Sequence, residues 1–125
     1  MLITLIRPPA ISSKNQANQG AILPMGLAYL ASTLEKEGFS SIQIIDTIVE
    51  GADVFEEVPP HRNIFKYGLS NENTIKRIDK DTKLIGVSCM FSSDWPITRE
   101  LLNKIRENFP KTPIVVGGEH ITACP

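Results

Sequence analysis

Four short runs, residues 2–6, 42–45, 84–89 and 114–116, constrain this chain more than anything else in it. Each is rich in Ile, Val and Leu, and none shows a clean alternation of apolar with polar residues. A strand with one face in water alternates; a strand covered on both faces does not need to. Helical patterns lie between the runs. In "PMGLAYLASTLEKEG", Leu27, Leu30, Ala31 and Leu34 share a face, Pro24 sits near the first helical position and Gly38 is placed to end the helix. A shorter pattern over 72–79 turns Ile75 and Ile78 inward, with Ser70 or Asn71 as its cap. In "SDWPITRELLNKIRENFP" a stripe runs through Ile97, Leu101 and Ile105. There Ser93 or Asp94 caps the start, Glu100 and Lys104 form an i,i+4 pair, and Pro110 stops the helix.

Strands alternating with helices predict right-handed βαβ units. The expected fold is therefore α/β: a flavodoxin-like (Rossmann-like) parallel sheet of about four strands flanked by helices. Only residues 47–69 break the rhythm. They carry Pro59-Pro60 and no clear period, and read as an irregular insertion after the second strand.

At 125 residues the chain is one domain, and its 42% apolar and 22% charged residues are those of an ordinary globular protein. A formal charge of −1, with basic residues interleaved among acids in "LEKEG" and "KRIDKD", argues against a nucleic-acid or acidic-membrane partner. The apolar start "MLITLI" is cut off by Arg7-Pro8-Pro9, too short for a signal peptide or a span of ~20 residues. The cytoplasm is the expected address. Cys89 and Cys124 make no disulfide framework.

In an open parallel sheet, ligands sit beyond the carboxyl ends of the strands. The loop after the first strand, "RPPAISSKNQANQGAIL", carries neither the G-x-G-x-x-G of a dinucleotide site nor a Walker phosphate loop, and contains no Asp or Glu. The glycines follow the fourth strand instead, as Gly117-Gly118. They read either as a turn, where glycine supplies positive φ, or as two missing Cβ atoms that open a slot beside the strand edge. The neighbouring run ends "LIGVSCMFSSD", which brings Ser88 and Cys89 to the same edge.

The ordered set "PMGLAYLASTLEKEG", "IQIID", "LIGVSCMFSSDWP" and "IVVGGEHITACP" resembles the cobalamin-binding domain at the N-terminus of B12-dependent radical-SAM enzymes. The resemblance covers roughly half the chain and weakens in the first loop and the insertion. It implies that cobalamin lies over the carboxyl edge with its nucleotide tail descending into the sheet. The implied cofactor-binding residues are Ser88, Cys89, Met90, Gly117, Gly118, Glu119 and His120, with Ser88 as the hydrogen-bond partner of the buried base. Val at Gly118 is then expected to abolish retention without unfolding the domain. The Asp-x-His-x-x-Gly element that supplies a cobalt ligand in other cobalamin domains is absent, since no histidine precedes His61. The lower cobalt face would meet water, nothing, or a side chain such as Ser12, Ser13, Gln16 or Asn18.

The resemblance also implies a larger parent, a methyltransferase or related radical enzyme, with a [4Fe-4S] cluster and S-adenosylmethionine. The C-x-x-x-C-x-x-C motif for that cluster is not on this chain, so the chain is not expected to be catalytic alone. Residues 1–125 read as a truncated front portion lacking a fifth strand, whose exposed sheet edge invites self-pairing. The alternatives are a cofactor-free Rossmann-like interaction or regulatory module, and a nucleotide or flavin binder without a phosphate loop.

Bland roles compete at single positions. His120 and Cys124 stand four apart, but a zinc site would need Cys89 and His61 as well, without the usual paired spacing. Taken alone, Cys89 reads as a small buried hydrophobe and Trp95 as a helix-entry residue or a wall of the site. Asp46 reads as a cap or loop hydrogen-bonder. Arg7 reads as structural, or as a partner for a propionamide or phosphate.

Overall fold

The computed structural model describes residues 1–13, 24–60 and 62–125. In chain order the elements are β1 (Leu2–Arg7), β2 (Ala10–Ser13), α1 (Met25–Lys36), β3 (Ser41–Asp46), α2 (Thr47–Glu50), β4 (Phe55–Glu57) and β5 (Ile64–Tyr67). They continue with α3 (Asn71–Arg77), β6 (Thr82–Ser88), α4 (Trp95–Asn108), β7 (Ile114–Gly117) and α5 (Glu119–Ala123).

The main sheet has the order β3-β1-β6-β7, and every neighbouring pair in it is parallel. The four expected strands are thus all present, in flavodoxin-like order. The chain steps from β1 outward to β3, then reverses to β6 on the other side of β1. That reversal is a topological switch point, and it leaves a crevice between the carboxyl ends of β1 and β6.

The non-alternating strands are explained by helices on both faces. Ile6, Ile45, Ile85 and Val87 point toward α3 and α4, where Ile78, Leu101 and Ile105 complete one core. Ile3 and Leu5 point the other way and pack with Leu27 of α1, joined by Ala31, Leu34, Ile42 and Leu84. The described residues cover only half of the second face, where α1 lies over β1 and β3. Leu30, expected on the buried stripe, is therefore 53% exposed, and Val115 on β7 is 57% exposed.

A buried polar cluster ties three strands together at the opposite end of the sheet. The Thr4 hydroxyl donates to Gln43 Oε1 at 3.0 Å and lies 2.8 Å from the Thr82 hydroxyl. Gln43 Nε2 donates to the Arg77 carbonyl at 2.7 Å, so the group bridges β1, β3, β6 and the end of α3. Each polar atom pulled from water thereby keeps a partner.

Helix boundaries follow local chemistry with three corrections. Ser70 caps α3, its hydroxyl accepting from the Asn73 amide at 3.1 Å. Gly38, at φ 97°, ends α1 as expected, with the Phe39 amide donating back to Leu34. Pro24 stands one residue before α1, at its cap. Asp94 occupies the cap position of α4, but its side chain does not cap. It closes a 3-10 turn with helical dihedrals, which turns the carboxylate away from the amides it would need to reach. Lys104 pairs with Glu107 at 3.3 Å rather than with Glu100. Both carboxylates lie within one turn on an exposed face, and such pairs differ by only a few tenths of a kcal/mol.

Residues 47–69 are not irregular. They contain α2, β4 and β5, and β5 pairs antiparallel with both β4 and β2. β2 comes from the supposed loop after β1, so two segments unassigned by pattern complete each other as an accessory three-stranded sheet. Among the described residues no helix is long and apolar enough to cross a membrane.

Candidate functional site

The half-covered face opens into a cleft of about 1090 Å³ that reaches the switch point. Its floor is a row of same-face residues fixed by strand register. Leu5 pairs with Gly86 across β1 and β6, and Gly86 pairs with Val115 across β6 and β7. One step toward the carboxyl edge, Ser88 pairs with Gly117. α1 forms one wall through Leu27, Leu30 and Leu34; the accessory sheet forms another through Ile11 and Tyr67. The lining is predominantly apolar, with a few polar groups collected at the mouth, as in sites for large organic ligands.

The two adjacent glycines have different jobs. At Gly117 an added Cβ would meet nothing within 4 Å, so its missing side chain is open cleft. At Gly118 the backbone has φ 115°, and a Cβ there would overlap the carbonyl of Cys89. That close approach carries hydrogen bonds: the Cys89 amide donates to the Gly117 carbonyl at 2.7 Å, and the His120 amide to the Cys89 carbonyl at 3.3 Å. Both readings of the pair are thus realised, one at each residue. The expectation that Gly118→Val leaves the fold intact is corrected, since the strain falls on backbone, not on open space.

Ser88, Cys89, Met90, Gly117 and Gly118 all line the cleft. Ser88 is half-buried on its wall and Met90 is exposed at the mouth. Glu119 and His120 are not among the lining residues. His120 is buried in the first turn of α5, its Nδ1 2.8 Å from the Ser92 hydroxyl and its ring 5.2 Å from that of Trp95. It holds the loop after β6 against α5, behind the glycines. Cys89 is a buried hydrophobe: burial pushes its thiol up, opposed by the Thr98 hydroxyl and reinforced by the Asp94 carboxylate. A thiol held neutral in this way is a poor nucleophile.

At the mouth, Arg7 pairs with Asp46 at 3.2 Å. Asp46 also caps α2, accepting from the Ile48 and Val49 amides at 3.1 and 3.3 Å. Among the described residues no three His, Cys, Asp or Glu side chains gather to hold a metal ion. Ser12 lines the cleft, whereas Gln16, Asn18 and His61 lie outside the described residues.

Asp94 latches two walls together, accepting the Ile11 amide at 2.9 Å across 83 residues of sequence. Burial pushes its carboxyl above the ordinary range, with the Ile11 amide opposing the shift. The folded chain therefore keeps this proton to higher pH than the unfolded chain. Stability is lost as pH rises from the ordinary carboxyl range, about 4, through the raised value. Asp94→Asn retains an oxygen for Ile11 and removes the charge. It is expected to be at least as stable as the parent at pH 7, with the two converging below about pH 4. Urea melts at both pH values check this; a variant weakened at pH 7 but not below about pH 4 would show that the charge itself holds the latch.

Sequence reasoning missed Gly86, Tyr67 and Ile11. A lone glycine inside a strand is a readable signal of close approach or clearance. Tyr67 and Ile11 had no such signal, because only the pairing of β2 with β5 brings them to the cleft.

A flavodoxin-like sheet with an apolar cleft opening at its switch point, left uncovered by the described residues on half of one face, has the architecture of a ligand-binding domain. The B12 binding domain family model matches residues 18–125, and the chain belongs to that family. It is similar to the cytidylyl-2-hydroxyethylphosphonate methyltransferase of Streptomyces wedmorensis, 29% identical over 103 residues. That match covers 82% of this chain and 19% of the relative, so the chain spans about a fifth of the relative's length. No solved structure matches it.

Proposed function

We propose that this domain holds cobalamin with its nucleotide tail in the cleft and presents the corrin to a catalytic domain of a larger methyltransferase. The open space at Gly117, level with Ser88 at the top of an apolar cleft, carries this reading. The residues present suit the cofactor: a bulky planar base needs clearance, and its buried nitrogen needs a donor, which the Ser88 hydroxyl supplies. Gly86 and Val115 offer a small-featured apolar floor below. Bound cobalamin supplies a cobalt centre able to carry a methyl group.

The chain's own residues bind, orient and exclude water. Cys89 and Gly118 keep the glycine edge rigid, His120 and Trp95 brace it from behind, and the Arg7–Asp46 pair keeps a neutralised charge at the mouth. The methyltransferase relative supports transfer of a methyl group by the parent. A radical-SAM partner with a [4Fe-4S] cluster and S-adenosylmethionine is the finer reading, resting on the family resemblance. Self-pairing through the β7 edge belongs with it.

Gel filtration of the purified chain with hydroxocobalamin, followed by absorbance, tests the core of this reading. Co-elution with a base-off spectrum is expected, with weak retention. No retention even at high cobalamin would favour a cofactor-free interaction module.

A further inference from the structure

We propose that Tyr67 is a binding residue for the corrin ring, so that the accessory sheet forms one wall of the cofactor seat; this rests on the cobalamin reading above. Tyr67 is half-buried at the end of β5 and lines the cleft mouth, not its floor. Its strand position is fixed from both sides, paired with Ala10 of β2 and Phe55 of β4. The Phe55 ring stacks on it at 6.5 Å and an interplanar angle of 28°. Behind it, the Leu69 amide donates to the Thr47 carbonyl at 2.7 Å, and the Thr47 hydroxyl donates to the Arg7 carbonyl at 2.8 Å. Those two bonds tie β5 to the carboxyl end of β1, and Asp94 ties β2 to the far wall.

A strand held this firmly, with its tyrosine stacked on Phe55, has little backbone freedom left to lose when a ligand arrives. A tyrosine presents an apolar face and a hydroxyl tip, which suits a flat macrocycle rimmed by amide arms. Its place also separates it from the tail. Gly117 leaves open space on β7, and Leu5 fills the space beside Gly86 on β6, whereas Tyr67 stands on the accessory sheet beyond the end of β1.

Two corrinoids distinguish these positions: hydroxocobalamin, which carries the nucleotide tail, and cobinamide, which lacks it. Tyr67→Ala is expected to weaken both by about tenfold, with Tyr67→Phe close to the parent. Gly117→Leu is expected to weaken cobalamin alone. Hydrogen exchange on the unaltered chain gives an independent readout: cobinamide should slow exchange over residues 10–13 and 64–67. Parent-like cobinamide binding by Tyr67→Ala, or unchanged exchange in those strands with cobinamide bound, would overturn the assignment of Tyr67. Failure of the unaltered chain to bind either corrinoid sinks the cobalamin reading itself, and the Tyr67 assignment with it.

Discussion

Gly117→Leu is expected to lower cobalamin retention by on the order of 100-fold while leaving the melting curve near that of the parent. A Cβ at Gly117 meets no protein atom within 4 Å and the cleft lies beyond it, so folding has little to resist. The same side chain occupies the space at the top of the cleft beside Ser88, and overfilling a packed site costs about 1–3 kcal/mol, or roughly 5- to 150-fold in affinity. Gly118→Ala is the control with the opposite signature. Its positive φ and the overlap with the Cys89 carbonyl place the cost in the fold, about 2–4 kcal/mol, and lower the melting temperature by roughly 10 °C. Absorbance after gel filtration and a thermal melt of each variant separate the two. Equal retention by Gly117→Leu and the parent would show that the ligand does not use this space.

Leu101→Ala carries the largest expected effect on folding. Leu101 is fully buried in α4 and joins the core formed by Ile6, Ile45, Ile85 and Ile105. Truncating such a leucine removes its transfer free energy and leaves a cavity, costing about 2–5 kcal/mol. Small domains are held by only about 5–15 kcal/mol, so a large part of the stability is lost. Leu30→Ala, on the wall of the cleft, is the comparison: Leu30 is already 53% exposed and its removal leaves no closed cavity. Urea unfolding should shift strongly for the first and little for the second. Similar shifts would mean that α1 is packed more closely than its open face indicates.

Helices and main-sheet strands were legible because each announces itself within a few residues. Ile/Val/Leu runs without clean alternation mark doubly covered strands, and Ser70 and Gly38 mark helix ends through hydrogen bonds made nearby. The site was legible in part for the same reason. Ser88 and Gly117 end adjacent strands, so the order of strands alone brings them together. His120 was readable as a residue near the edge but not as a brace, since its partners Ser92 and Trp95 meet it only after α5 folds back.

Residues 47–69 show where local reading stops. β2 and β5 are separated by some fifty residues, and neither has a hydrophobic period strong enough to identify it alone. Antiparallel pairing supplies the missing partner, and a strand's hydrogen bonds are invisible until that partner is known. The difference between Gly117 and Gly118 is of the same kind. Two identical residues, adjacent in sequence, face a cleft in one case and a backbone carbonyl in the other.

The amino-acid sequence by itself determined the parallel α/β sheet, its covered strands and the edge where a ligand belongs, because these follow from periodicity and strand order. Only the tertiary structure decided which glycine clears space, which aromatic reaches the mouth and which face of the sheet stays open. Those depend on contacts between segments far apart in the chain, and no local pattern encodes a distance.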